Sequence, residues 1–446
     1  MADEAWHVPC DSYRSLTGDA LNAIDLAPSH PDTFLVEGEG GSRREFRLSS
    51  DFQPIFSLAH RQAVGYEGLI RATDSLGKAC APAELLAQAP AGVARMQLDR
   101  QCRRVHVNNF QRLGDKNSWL FLNVDPYVAA QGRRFGTFAQ LLEEFRLPAH
   151  RVAVELVETP FEDEKGLAAA FEHYRTLGCL TVIDDFGAGY SNFDRIWRLK
   201  PDIVKIDREM TRRVTVEPLA RRMFAGIISV LHEAGALVCV EGIETEAEAL
   251  CATDADADLM QGNYFARPAA RLAPEHACDG LFERLFTGFR AEAAEFRDRR
   301  SVRLEPYIAA LADAVLALST GADRLKAVKA LLDLDCTERC YLIAADGSQI
   351  GASAEPGRKL TSRDRRLKPI RPVTGTNWRT KPFFRRAIEE PGKVQITRPY
   401  LSAAGPKLCV TLSFALTLNG SYHVLCADLD FAALAGDDLA FGITER

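Results

Sequence analysis

From Asp51 onward the chain alternates short apolar runs with longer stretches of helical character. The runs QPIFSLA, WLFLNV, VAVELV, LTVID, IVKI, LVCVE and LMQGNYF are short and mostly rich in β-branched residues, as strands buried on both faces are. Between them PAELLAQA, GTFAQLLEEF, GLAAAFEHYRTLG and PLARRMFAGIISVLHEAG read as helices. This alternation predicts a parallel sheet covered by helices. Seven or eight such units in about 220 residues fit a (β/α)8 barrel over residues 49–272 better than an open doubly wound sheet. No Gly-x-Gly-x-x-Gly follows the first strand, which argues against a dinucleotide fold.

The flanks read differently. Residues 1–48 form a poorly patterned lead-in with turn residues (SHPDTF, EGEGGS). Residues 273–335 turn helical and charged, a linker whose Leu304, Ile308, Leu311, Val315 and Leu318 make one heptad-like stripe. A helix packed on its own domain explains the stripe better than a coiled coil between two copies. Residues 336–446, with a lead-in helix from about 290, form an α+β module. Its hairpins are CYLIAA–Asp346–Gly347–SQIGAS and PKLCVTLSFALTL–Asn419–Gly420–SYHVLCADLDF.

Composition narrows the function. The chain has 446 residues, enough for two or three domains, and a formal net charge of −6 with no broad basic field. A nucleic-acid polymer is therefore not the expected partner. The N-terminus is polar and acidic, and no apolar run reaches the ~18 residues of a membrane span. Eleven cysteines, an odd number and several in apolar runs, suit reduced thiols in a cytoplasm. Cys336 and Cys340 lack a partner pair, so a metal site there is not expected.

In such a barrel the chemistry sits at the C-terminal ends of the strands. There the chain places Glu67 and Arg71, Asn123, Glu155 and Glu158, Asp184 and Asp185, Lys205 and Asp207, Glu241 and Glu244, and Gln261. Any one of these could be a turn, a helix cap or a surface charge. Strand after strand ending in acid, amide or lysine points to one site, and so many carboxylates at one rim require cations. Oxygen ligands without His or Cys select hard dications: Mg²⁺, Mn²⁺ or Ca²⁺. Two ions sharing a bridging aspartate would explain the adjacent Asp184 and Asp185. Neighbouring strand residues normally face opposite ways, so Gly187 and Gly189 are expected to let the chain leave strand geometry at once.

These residues also carry a resemblance. FQPIFSL, EGLIR, LFLNVDP, ELVE, DDFGAGYSN, VKID, VEGIE and QGNYFARP, in order over Asp51 to Pro268, resemble the EAL-domain cyclic-di-GMP phosphodiesterases. The resemblance implies a TIM-like barrel that opens cyclic-di-GMP to linear pGpG with two Mg²⁺ or Mn²⁺ ions, Ca²⁺ binding without supporting turnover. It implies Glu67, Asn123, Glu155, Asp184, Asp185 and Glu241 as the metal set. Lys205 would lie beside the nucleophilic water, so Glu241, Lys205, Asp185 and Glu67 carry the catalytic roles. Gln53, Leu69, Arg71 and Gln261 would serve the substrate and its water. Glu158 would brace the loop that holds Gly187 and Gly189.

Three positions depart from the family pattern. Gly68 replaces an alanine, which suggests a looser strand end beside Glu67. Val157 and Ala188 replace threonines and lose a hydroxyl each. None removes a charge, so an active enzyme is expected, with an inert cyclic-di-GMP receptor as the alternative. The C-terminal module resembles the PAS-like Cache sensor fold through TNWRTKPFFRRAIEE, RPY and CADLDF. Trp378, Arg385, Tyr400 and Asp428 could line a small-molecule pocket there, or simply pack its core. The module would regulate the barrel or make a homodimer of it.

Overall fold

The structure is a computed structural model that describes residues 33–37, 43–89, 92–130, 136–157, 163–189, 193–274, 278–357, 376–402 and 408–435. Glu158 and residues 1–32 lie outside the described residues. The chain divides into two compact units, residues 1–289 and 290–446, and the division falls within the helix Asp279–Ser319.

In the first unit the strands are β1 (Thr33–Glu37), β2 (Arg43–Ser57), β3 (Gln62–Asp74), β4 (Ala79–Cys80) and β5 (Trp119–Asn123). They continue with β6 (Val152–Val157), β7 (Leu180–Phe186), β8 (Ile203–Ile206), β9 (Leu237–Val240) and β10 (Leu259–Met260). The order β2-β10-β9-β8-β7-β6-β5-β3, with β2 also paired to β3, closes a barrel of eight strands. The last expected strand, LMQGNYF, is shorter than its sequence suggests and ends at Met260.

The barrel is not parallel throughout. β2 runs antiparallel to both β3 and β10, while the other seven strands are mutually parallel. Residues 58–61 alone connect β2 to β3, with Arg61 at φ 57, and so short a link can only make a hairpin. The outer arms of this hairpin extend beyond the barrel into what the sequence presents as lead-in. There Phe34, Phe46, Leu48 and Ile70 build a small core with Leu85, Leu98 and Val105.

Helices between the parallel strands start at local caps. Asp163 accepts from Gly166 N, Asp207 from Glu209 N, and Thr245 forms a capping box with Glu248. Inside the barrel Ile55, Phe121, Ala153, Val182, Ile203, Cys239 and Leu259 form a buried apolar layer. Gly65 belongs to the same face, and the Phe121 ring fills the space its side chain would take: a Cβ there would lie 2.5 Å from Cε2.

The second unit holds an antiparallel sheet of β11 (Thr337–Ala344), β12 (Gln349–Ala354), β13 (Gln395–Ile396), β14 (Tyr400–Leu401), β15 (Leu408–Leu418) and β16 (Ser421–Asp430). The expected Asn419–Gly420 turn joins β15 to β16 with φ 48 and 79, as a type I′ turn requires. Leu304, Leu311 and Leu318 of the heptad-like stripe are buried in this unit's own core, against Leu412, Leu425 and Leu429. Phe383, Phe384 and Ala387 pack with Tyr341, Val424 and Cys426 in a second cluster. Among the described residues ten cysteines are free thiols, and no helix is long and apolar enough to cross a membrane.

Candidate metal centre

The apolar layer of the barrel positions the polar one above it. In a strand the side chain two residues on faces the same way. On each parallel strand the step from apolar to polar is one such interval: Gly65 to Glu67, Phe121 to Asn123, Ala153 to Glu155, Val182 to Asp184, Ile203 to Lys205, Cys239 to Glu241 and Leu259 to Gln261. On the reversed β2 the order inverts, Gln53 preceding Ile55, and Gln53 pairs in register with Glu67. All eight strands thus contribute one polar side chain to a ring.

The ring is buried and knitted. Glu155 is 0% exposed, Lys205 1%, Gln261 3%, Asp184 7% and Glu67 8%. Asn123 Nδ2 donates to Glu67 Oε1 at 2.9 Å, and Gln261 Nε2 donates to Glu67 Oε2 at 2.7 Å and to Gln53 Oε1 at 3.2 Å. Lys205 Nζ stands among four carboxylates. It lies 2.7 Å from Glu155, 3.3 Å from Glu67 and 3.5 Å from Asp184, and it contacts Glu241.

Asp184 faces the ring as strand alternation requires; Asp185 reaches it by leaving the strand. Its φ is 57, and the β7–β8 register breaks between Ile183 and Phe186. The turn expected at the glycines therefore begins one residue earlier, at Asp185 itself. Aspartate tolerates the left-handed region better than most side chains. Gly187 (φ 106) and Gly189 (φ 112) continue the loop. As a result Asp184, Asp185 and Glu241 each offer a carboxylate oxygen within 4.8 Å of the other two.

Electrostatics follow from this crowding. Burial, then the charges of Asp184 and Asp207, push Asp185 up to about 8. Burial also raises Asp184, and raises Glu155 and Glu241 well above the usual carboxylate range. Glu67 is the exception: burial pushes it up, but Lys205 and the Gln261 and Asn123 amides outweigh that and lower it. Lys205 is opposed by burial and still raised well above its ordinary value by Asp184, Glu155, Glu241 and Glu67.

Several buried oxygens have no hydrogen-bond donor: Asn123 Oδ1, Gln261 Oε1 and both oxygens of Glu155, whose contact with Lys205 lacks hydrogen-bond geometry. Buried acceptors left unsatisfied are costly. All four orphaned atoms of the ring are oxygen acceptors, beside three converging carboxylates, and this ligand set fits a hard divalent cation.

The remaining expected residues fall into place unevenly. Leu69 and Arg71 follow Glu67 on the same face of β3. Arg71 Nε donates to Asp51 Oδ2 at 2.8 Å and Nη1 to the Ile70 carbonyl at 3.1 Å, so Asp51 orients it. The sequence pattern does not mark Asp51. It lies on β2 opposite Leu69, a diagonal neighbour that only the hairpin register reveals. Asp207, at the end of β8, serves the site indirectly: its charge reaches Asp185 while its side chain caps the next helix. Gly68 does not loosen the strand end. It faces outward, and the ring of His106 takes up the space: a Cβ at Gly68 would lie 2.9 Å from His106 Cγ. Ala188 is exposed.

In the second unit Tyr400 and Asp428 come together around a buried ion pair. Arg339 Nη2 is 2.6 Å from Asp428 Oδ2, Thr411 donates to Asp428 Oδ1 at 2.7 Å, and Tyr400 OH is 2.7 Å from Thr411 Oγ1. The Arg339 guanidinium stacks on Tyr341 and lies 5.9 Å from the Trp378 ring. Arg385 is exposed on the helix Pro382–Glu389, and Arg339 supplies the cation instead.

Comparison with known proteins gives the family and the fold. A family model described as the EAL domain matches residues 42–268. An uncharacterized EAL-domain containing protein of Bacillus subtilis, YkuI, is 25% identical over 354 residues, 75% of this chain and 82% of YkuI. The cyclic di-GMP phosphodiesterase RocR of Pseudomonas aeruginosa is 29% identical over 152 residues, 33% of this chain and 38% of RocR. The crystal structure of YkuI in complex with substrate c-di-GMP and calcium superposes with a TM-score of 0.71 at 21% identity, covering 88% of this chain and 96% of that one. That likeness extends the shared fold over both units.

Proposed function

The chain belongs to the EAL domain family, and from that premise we propose that it is a metal-dependent phosphodiesterase that hydrolyses cyclic-di-GMP to linear pGpG. What supports this reading above all is the charge of the ring. Glu67, Glu155, Asp184, Asp185 and Glu241 are five carboxylates against the single ammonium of Lys205. An anionic phosphodiester enters such a site only when dications overcompensate the acids. Glu67, Asn123, Glu155, Asp184, Asp185 and Glu241 would hold two Mg²⁺ or Mn²⁺ ions. What the bound ions supply is an acidified water and neutralisation of the developing phosphoryl charge.

The chain's own residues do the rest. Lys205 stands among four carboxylates and supplies a hydrogen-bond donor and a counter-charge beside the reacting water. Arg71, oriented by Asp51, offers its guanidinium to a substrate phosphate. Leu69 gives the substrate an apolar contact. Gln261 and Gln53 hold each other and Glu67 in place. The C-terminal unit is proposed as a PAS-like or Cache-like regulator acting in a cytoplasmic homodimer, with a small effector at the cluster around Asp428.

The test is turnover followed by chromatography with purified full-length chain. Mg²⁺ or Mn²⁺ should yield linear product, and Ca²⁺ should not. Folded protein that binds cyclic-di-GMP tightly with saturating Mn²⁺ yet makes no product would be a receptor.

A further inference from the structure

Three glycines beside residues of the ring are closely packed, and two of them abut one short helix. Gly187 lies two residues past Asp185; a Cβ there would fall 2.6 Å from Met210 Cε. Gly242 directly follows Glu241; a Cβ there would overlap Arg208 Cβ. Gly262 directly follows Gln261; a Cβ there would overlap the backbone of Ile243. Met210 and Arg208 both belong to the helix Arg208–Arg213, which leaves the strand of Lys205 and is capped by Asp207. Backbone bonds tie the same three segments: Asp207 N to Phe186 O at 3.0 Å, Glu241 N to Ile206 O at 3.1 Å, and Ile243 N to Gln261 O at 3.1 Å.

We propose that the helix Arg208–Arg213 is a wedge between the loop of Asp185 and the turn of Glu241, and that Met210 is a positioning residue for the divalent-cation site. The inference rests on the metal reading above. Asp185 reaches the ring only through a left-handed backbone. Such a conformation persists where the surroundings over-determine it. Gly187 removes any side chain between that loop and the helix, and the terminal methyl of Met210 takes the place of its Cβ. An unbranched, adaptable side chain suits an irregular gap of this kind. On the other flank Arg208 abuts Gly242, so the helix sets how far the Asp184–Asp185 pair stands from Glu241. With Met210 cut back, the loop loses its backing and the Asp185 carboxylate is free to turn away.

The experiment measures Mn²⁺ affinity of the full chain by electron paramagnetic resonance of free Mn²⁺, with thermal unfolding as a control for folding. Met210→Ala should weaken Mn²⁺ binding about 10–100-fold, as loss of a supporting contact does. Met210→Leu, which refills the gap, should restore it to within about threefold of wild type. Met210→Val should fall between them, and it serves alone should Met210→Ala not fold. Wild-type affinity in folded Met210→Ala or Met210→Val overturns the wedge and leaves the metal reading standing. A wild-type chain that binds no Mn²⁺ overturns that reading and the wedge with it.

Discussion

Lys205 Nζ lies 2.7 Å from Glu155 Oε1, with the two side chains 1% and 0% exposed. A buried pair of this kind contributes little net stability when intact, but removing one partner strands the other. Lys205→Met should therefore cost about 3–5 kcal/mol in the absence of divalent ions, with Mn²⁺ recovering part of it. Urea unfolding with and without Mn²⁺ measures this. A variant as stable as wild type under both conditions would show that the acids do not depend on the ammonium.

Asp185→Asn should separate geometry from charge. Asparagine tolerates φ 57 as well as aspartate does, so the melting temperature should hold. Turnover and Mn²⁺ affinity should both fall by about 10-fold or more, because an anionic ligand has been replaced by a neutral one. Asp185→Val, which disfavours a left-handed backbone, should lower stability as well, by about 1–3 kcal/mol. Calorimetry of the two variants side by side distinguishes the effects.

Gly68→Ala, which restores the family's alanine, should destabilise this chain. The new methyl would lie 2.9 Å from His106 Cγ, and overpacking of this sort costs about 1–3 kcal/mol. His106→Ala in the same chain should relieve the clash, so the double variant should lose less than the two single losses added. Strict additivity in urea titrations would mean that the two positions do not meet.

His106 also gives the fold an acid-side weakness. Burial pushes its imidazole down to about 4, below the ~6.5 of an unfolded chain. Above pH 6.5 both states are neutral there and nothing is lost. As the pH falls toward 4, the unfolded state takes the proton first and stability drops. The loss from this one group between pH 7 and pH 5 is about 2 kcal/mol. Unfolding free energies of wild type and His106→Gln at both pH values should differ in slope by that amount. Equal slopes would place His106 in solvent.

Much of this was legible in the sequence, for a physical reason. A buried parallel strand must be apolar to its end, so a polar residue at that end stands out. Glu155, Asp184, Lys205 and Glu241 were visible in this way, and the structure brings them to one ring. Asp185 was visible as a residue but not as a conformation, because φ depends on the loop and not on composition. The reversed β2 was hidden because a run such as QPIFSLA reads the same in either direction. Met210 is an ordinary apolar residue by pattern and matters only through the glycine it touches. The choice of Arg339 over Arg385 turns on which arginine lies inside, and both occur in segments of mixed pattern.

The barrel is sealed between its earliest strand, the reversed β2, and its last, β10. Gln53 meets Gln261 across 208 positions of chain, through a seam in which Leu259 and Met260 pair with β2 and Ala269 bridges to Phe52. Until this seam forms, the barrel stays open along one side. A chain without Leu259 and Met260 would hold seven of the eight barrel strands and leave an edge of β2 and an edge of β9 unpaired, open to another chain.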